Sequence, residues 1–120
     1  MEEKVKFIQH EGKRILYLDF SCCKAEEVLK TITTAKKVIA KHPERSLLTL
    51  TNVTDARFND EVSQEMKLFT THNRPYVRAA AVVGVTGLKR IIFEAVIAFS
   101  GRKLSAFDDE EKAKKWLAEN

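Results

Sequence analysis

Apolar and polar residues alternate with two periods along this chain. Residues 4–9 carry Val5, Phe7 and Ile8, and residues 14–20 carry Ile15, Leu16, Leu18 and Phe20; between them His10-Glu11-Gly12-Lys13 supplies a short loop with a glycine suited to positive φ. This predicts a β-hairpin. The period then changes: Ala25, Val28, Ile32, Ala35 and Ile39 recur at helical spacing while Glu26, Glu27, Lys30, Lys36 and Lys37 take the opposite side. A helix over 23–41 follows, stopped at His42-Pro43 because the residue before proline is driven out of the α region.

The alternation repeats further on. Residues 46–51 set Leu48 and Leu50 against Thr49 and Thr51, which predicts a strand with one apolar face. After a loop over 52–58, Asn59 is placed to cap a helix whose first turn carries Asp60 and Glu61 and whose stripe is Val62, Met66 and Phe69; Asn73-Arg74-Pro75 ends it. Residues 76–83 predict a strand, Thr86 a cap, and 87–100 a helix closed by Gly101. A short strand over 103–107 and a last helix capped by Asp108 or Asp109, burying Ala113, Trp116 and Leu117, complete the chain.

The order is β-β-α-β-α-β-α-β-α. A hairpin followed by alternating β-α units predicts an α/β fold: one mixed sheet of about five sequential strands, the later ones parallel, with four helices mostly on one face. Alternation groups Leu16, Leu18, Phe20, Leu48, Leu50, Val77, Ala79, Ala81 and Val83 on that face. It leaves Ile15, Tyr17, Asp19, Thr49, Thr51, Tyr76 and Arg78 on a mildly polar one.

Composition narrows the class. With 120 residues, 44% hydrophobic and 32% charged, the chain reads as one globular domain over 1–120. The net charge of +4 is spread along the chain without a basic block, which argues against nucleic acid as partner. The start Met1-Glu2-Glu3-Lys4 has no apolar run, so no signal peptide is expected and a cytoplasmic location is. The longest apolar run, 91–99, is interrupted by Glu94 and falls short of the roughly 20 residues that span a bilayer.

Several stretches resemble a known family. The hairpin, the segment Ser46-Leu-Leu-Thr-Leu-Thr-Asn-Val-Thr-Asp-Ala-Arg-Phe58, the turn Ala81-Val-Val-Gly-Val-Thr-Gly-Leu88 and Phe99-Ser-Gly-Arg102 resemble the SpoIIAA-like group of STAS-type domains, over nearly the whole chain. The resemblance implies the STAS fold, with distant kinship to CRAL-TRIO lipid-binding modules. STAS anti-sigma-factor antagonists carry a phosphorylatable serine in a motif resembling Asp-Ser-Ser-Gly. Here the matching region reads Asp55-Ala56-Arg57-Phe58, with no hydroxyl at that place, which leaves Thr54 and Ser63 as the nearby candidates for a phospho-switch.

Ligands of open parallel sheets settle beyond the carboxyl ends of the strands. The residues at those ends are Thr54, Asp55, Arg57 and Phe58 in one loop and Gly84, Thr86, Gly87 and Leu88 in the other, with Lys89 and Arg90 adding positive charge for a small anion. Gly-Val-Thr-Gly lacks the phosphate-loop and dinucleotide fingerprints, so a tight turn plus a helix cap is the favoured account of it. On the helix over 87–100, Leu88, Ile91, Ile92, Ala95, Val96 and Phe99 form an inward stripe, which leaves Phe93 and Ile97 outward beside Arg90 and Glu94. They require a cover: a ligand or partner, the last helix with Trp116 and Leu117, or the hairpin.

No catalytic set emerges. His10, His42 and His72 lie far apart in sequence and form no metal-ligand spacing with Cys22 and Cys23, so neither a metal nor a cofactor is expected. A cysteine near a helix N-terminus with a lowered pKa is the one feature that suits an enzyme. The expectation is a non-enzymatic binding module for an apolar small molecule, a membrane surface or another protein; the alternative is a regulatory protein of the anti-sigma-factor-antagonist type controlled at Thr54 or Ser63. A homodimer joined through Tyr17, Thr49, Tyr76 and Arg78, or through the 87–100 helix, is a third reading.

Overall fold

The structure, a computed structural model, describes residues 4–86, 90, 93–94 and 104–120. Five strands form one sheet: β1 (Val5–His10), β2 (Lys13–Asp19), β3 (Leu47–Asn52), β4 (Val77–Val83) and β5 (Leu104–Phe107). They stand in sequence order, β1 antiparallel to β2 and the remaining pairs parallel. Glu11 and Gly12, both at positive φ, turn the hairpin.

Among the described residues three helices are delimited rather than four: α1 (Ala25–Ile39), α2 (Asp60–Asn73) and α3 (Glu110–Ala118). The helix expected over 87–100 lies largely outside the described residues. Its described members Arg90, Phe93 and Glu94 are helical. The expected caps hold at both described sites: Asn59 Oδ1 accepts from Val62 N at 2.8 Å, and Asp109 Oδ1 from Lys112 N at 2.8 Å. Asp60 and Glu61 stand in the first turn of α2, and Glu110 and Glu111 in that of α3, beside the positive ends of the helix dipoles.

The grouping of faces needs correction. Leu16 pairs with Thr49 and Thr49 with Ala80, while Tyr17 pairs with Leu50 and Leu50 with Ala81, so residues in register share a face in a different combination from the one expected. One face carries Leu16, Leu18, Thr49, Thr51, Ala80 and Val82 against Val28, Ile32, Ala35 and Ile39 of α1, Val62, Met66 and Phe69 of α2, and Phe93. The other carries Ile15, Leu48, Leu50, Ala79, Ala81 and Val83 beneath Ala113 and Leu117 of α3. A shift of pairing between Leu47 and Leu48 brings Leu47 opposite Val77 and Leu48 opposite Ala79, with Arg78 passed over and exposed.

The sheet is therefore covered on both sides, and β3 is buried along nearly its whole length. Crossovers between parallel strands that advance in one direction share a hand and so a face, which places α1 and α2 together. α3 follows the last strand and makes no crossover, so it is free to cover the opposite face. Thr49, 3% exposed, lies under α2 rather than beside Tyr17, so the mixed surface of Tyr17, Thr49, Tyr76 and Arg78 does not exist as one patch.

Candidate functional site

At the carboxyl rim the strand ends are laced together by backbone bonds. Phe20 N donates to Asn52 O at 2.8 Å, Val53 N to Val83 O at 2.9 Å, Cys22 N to Thr54 O at 2.9 Å and Arg57 N to Cys23 O at 2.9 Å. The loop after β3 and the loop after β4 meet at Gly84. Its φ is +88°, and a Cβ placed on it stands 2.6 Å from Thr54 Cα and closer still to the Thr54 nitrogen and Oγ1. Only glycine permits that approach.

Asn52 is the hub of the side chains here. Its Oδ1 accepts from Thr54 N at 2.9 Å, and its Nδ2 donates to Tyr17 Oη and Glu110 Oε1, both at 3.1 Å. Tyr17 in turn donates to Glu110 Oε1 at 2.5 Å. Burial, then the bond to the Glu110 carboxylate, push the Tyr17 phenol up to about 12. The triangle ties the start of α3 to the ends of β2 and β3. On the neighbouring strand end, Asp19 Oδ1 accepts from Ser21 N at 2.9 Å and Ser21 Oγ at 2.5 Å, a closed local turn.

Beyond the ends of β4 and β5 the rim opens into a hollow of about 300 Å³ lined by Val85, Arg90, Ala106, Phe107, Asp108 and Lys112. Val85 is buried, and the Phe107 ring packs at a tilt against Trp116, centroids 5.4 Å apart. Among the described residues, two cations and one carboxylate border this partly apolar floor. Among those residues the cations hold only long, exposed ion-pair partners: Arg90 Nε lies 3.8 Å from Glu94 and Lys112 Nζ 3.9 Å from Asp109. Exposed pairs of this kind are worth at most about 1 kcal/mol, so an incoming anion displaces them at small cost.

The residues expected at the rim are only partly gathered by this hollow. Arg90 lines it, and Gly84 immediately precedes its member Val85. Thr54, Asp55 and Arg57 are exposed in the loop after β3, Asp55 at φ +57°, and Phe58 packs against the α1/α2 core. Thr86 is exposed, whereas Gly87, Leu88 and Ile97 lie outside the described residues. Phe93 is 6% exposed and belongs to the core under α2, so its expected outward position is corrected: sheet and α2 cover it. Ser63 is half-buried in α2.

Phe107, Asp108 and Lys112 were missed as lining residues. Their signal was the cap at Asp109: a helix beginning directly after the last strand brings its first turn to the same rim. The two cysteines divide sharply. Cys22, at φ +57°, is exposed; Cys23 is buried, and burial pushes its thiol up, although the Lys4 ammonium hydrogen-bonded to it offsets part of that. The lowering expected of a cysteine at this junction is not found at Cys23, because burial outweighs the Lys4 ammonium. Among the described residues no group of three or more His, Cys, Asp or Glu side chains is placed to hold a metal, and no helix is long and apolar enough to cross a membrane.

No family model and no curated protein matches this chain. Among solved structures it is similar to an uncharacterized protein from the DUF3478 family with a SpoIIAA-like fold, from Shewanella loihica PV-4: the TM-score is 0.73 at 12% identity, over 94% of this chain and 91% of that one. At that identity the likeness is one of fold, and it agrees with the resemblance carried by the hairpin, the 46–58 segment and the 81–88 turn. The sequential sheet, its antiparallel first strand and the helices on it together give this chain a SpoIIAA-like α/β fold.

Proposed function

We propose that this domain is a non-enzymatic binding module, and that its ligand is a small organic anion with an apolar body seated in the rim hollow. The observation that carries the reading is the hollow's composition: Val85, Ala106 and Phe107 offer apolar contact, and Arg90 and Lys112 outnumber Asp108 in charge. Its location beyond the carboxyl ends of β4 and β5 is where open parallel sheets bind ligands, and about 300 Å³ lies at the lower end of small-molecule sites. The raised Cys23 thiol supports a binding role over nucleophilic chemistry.

Control by phosphorylation at Thr54 or Ser63 finds less support. The Thr54 hydroxyl packs against Gly84, so a phosphate there opens the contact that joins the two rim loops, and Ser63 is half-buried within a helix.

The test is titration of the labelled protein with benzoate, hexanoate and octanoate, read by amide chemical shifts. Saturable shifts centred on Val85, Phe107 and Asp108, weakened about tenfold or more by Arg90→Gln with Lys112→Gln, are expected from loss of both charges. Absence of saturable shifts with all three carboxylates refutes the rim site.

A further inference from the structure

Between the sheet and α2 lies a narrow, partly enclosed cavity of about 30 Å³ whose apolar walls include Leu18, Phe69 and Phe93. Polar side chains also line it: Thr49 and Thr51 from β3, Thr70 and Asn73 from α2. Thr49 is 3% exposed, Thr51 9% and Asn73 3%. Thr70 Oγ1 donates to Met66 O at 2.8 Å and keeps its lone pairs, and Asn73 Oδ1 lies 3.0 Å from His72 Nδ1, which leaves the amide hydrogens to donate. The hydroxyls of Thr49 and Thr51 have no hydrogen-bond partner among the described residues.

Buried hydroxyls in native folds are paired with protein or with ordered water. A core position that only required bulk would take valine, which has the shape of threonine without the polar group. The cavity is large enough to hold solvent, since a water needs roughly 10–15 Å³ of such space, giving room for about two. Among the described residues no charged side chain lines it, so the occupant is neutral. Donors and acceptors face each other across it from two elements, the arrangement a bridging water requires.

We infer that this cavity is a specific site for a pair of water molecules that bridge Thr49 and Thr51 of β3 to Thr70 and Asn73 of α2. The waters are structural, and α2 is held to the sheet through a polar seam inside an otherwise apolar layer. This site lies between the sheet and α2, apart from the rim hollow, and shares no lining residue with it among the described residues.

Water-selective NOE and ROE spectra of the labelled full chain test the inference. Cross-peaks between long-lived water and the Thr49 and Thr51 protons are expected. The Thr49→Val, Thr51→Val double variant should lose them, and its Tm should fall by about 4 °C as the α2 groups lose their bridge. Absence of long-lived water at Thr49 and Thr51 in the wild type overturns the inference. So does a raised Tm in the double variant, the mark of hydroxyls that had been buried dry. The wild-type spectra decide the matter even where the variant fails to fold.

Discussion

Gly84 offers the sharpest quantitative test of the rim, because a second glycine supplies its control. Gly84→Ala has two costs. At φ +88° an alanine is strained by about 1–2 kcal/mol. The new Cβ also meets the Thr54 backbone, 2.6 Å from its Cα, and a main-chain neighbour cannot swing aside; overpacking of this kind costs about 1–3 kcal/mol more. Gly12 has a similar φ of +78° with nothing within 4 Å of its virtual Cβ, so Gly12→Ala retains the conformational cost alone. The gap between the two variants isolates the contact between the rim loops.

At about 2.1 cal/mol/K of unfolding entropy per residue, a chain of 120 residues changes Tm by about 4 °C per kcal/mol. Gly12→Ala should thus lower Tm by about 4–8 °C and Gly84→Ala by about 8–20 °C. Urea unfolding followed by circular dichroism, with m unchanged between variants, gives the corresponding free energies. Equal losses at the two sites, or a larger loss at Gly12, refute the close packing of Gly84 on Thr54.

Tyr17→Phe should remove a pH dependence. The folded pKa of about 12 stands above the ordinary 10, so the folded state holds the proton more tightly; the stabilisation is full below about pH 10 and fades as pH rises toward 12. Solvent screening of this half-exposed ring reduces the nominal two-unit effect to about 1 kcal/mol, and a wild type that loses no more than Tyr17→Phe between pH 9.5 and 11.5 contradicts it. Phe93→Ala should destabilise by about 3–5 kcal/mol in urea unfolding, as a buried aromatic does; a change under 1 kcal/mol returns Phe93 to the surface. A disulfide reagent should titrate Cys22 alone in the native protein and both thiols in denaturant, and rapid native reaction at two thiols contradicts the burial of Cys23.

Element order, the hairpin, both described caps and the sequential strand order were legible because each is written locally: a glycine turn, a period of 3.6, an Asn or Asp before a polar first turn. Register was not local. Thr49 and Thr51 do alternate with Leu48 and Leu50, but alternation states only that two faces differ, not which neighbour each face meets. Assigning the leucines to the face of Leu16 and Leu18 assumed one wet side, whereas α3 turns the Leu48 and Leu50 side into a second core. The helical phase at Phe93 failed for a related reason: residues 88–99 are apolar nearly all round, so no stripe defines the inward side. The exposed pair Arg90 and Glu94 marks the outward side in the structure, and Phe93, 100° from Glu94 on the wheel, reaches the sheet.

With both faces of the sheet covered, the rim hollow depends on how firmly the start of α3 is held. Phe107, Asp108 and Lys112 lie on either side of that start, and what fixes it to the sheet is Glu110, bonded to Tyr17 and Asn52. Neither Tyr17 nor Asn52 lines the hollow, so each acts on it only through α3. Asn52→Ala removes the bonds to Tyr17, Glu110 and Thr54 N together, a loss of about 1 kcal/mol for each bond left unmade. It should therefore speed amide exchange across the first turn of α3 and weaken carboxylate binding several-fold while β2 and β3 stay protected. Asn59→Ala, which removes the cap of α2 away from the hollow at about 1 kcal/mol, serves as a control for destabilisation elsewhere in the fold. If the two variants weaken carboxylate binding alike, the triangle is only a source of stability; if Asn52→Ala alone does so, it positions the site.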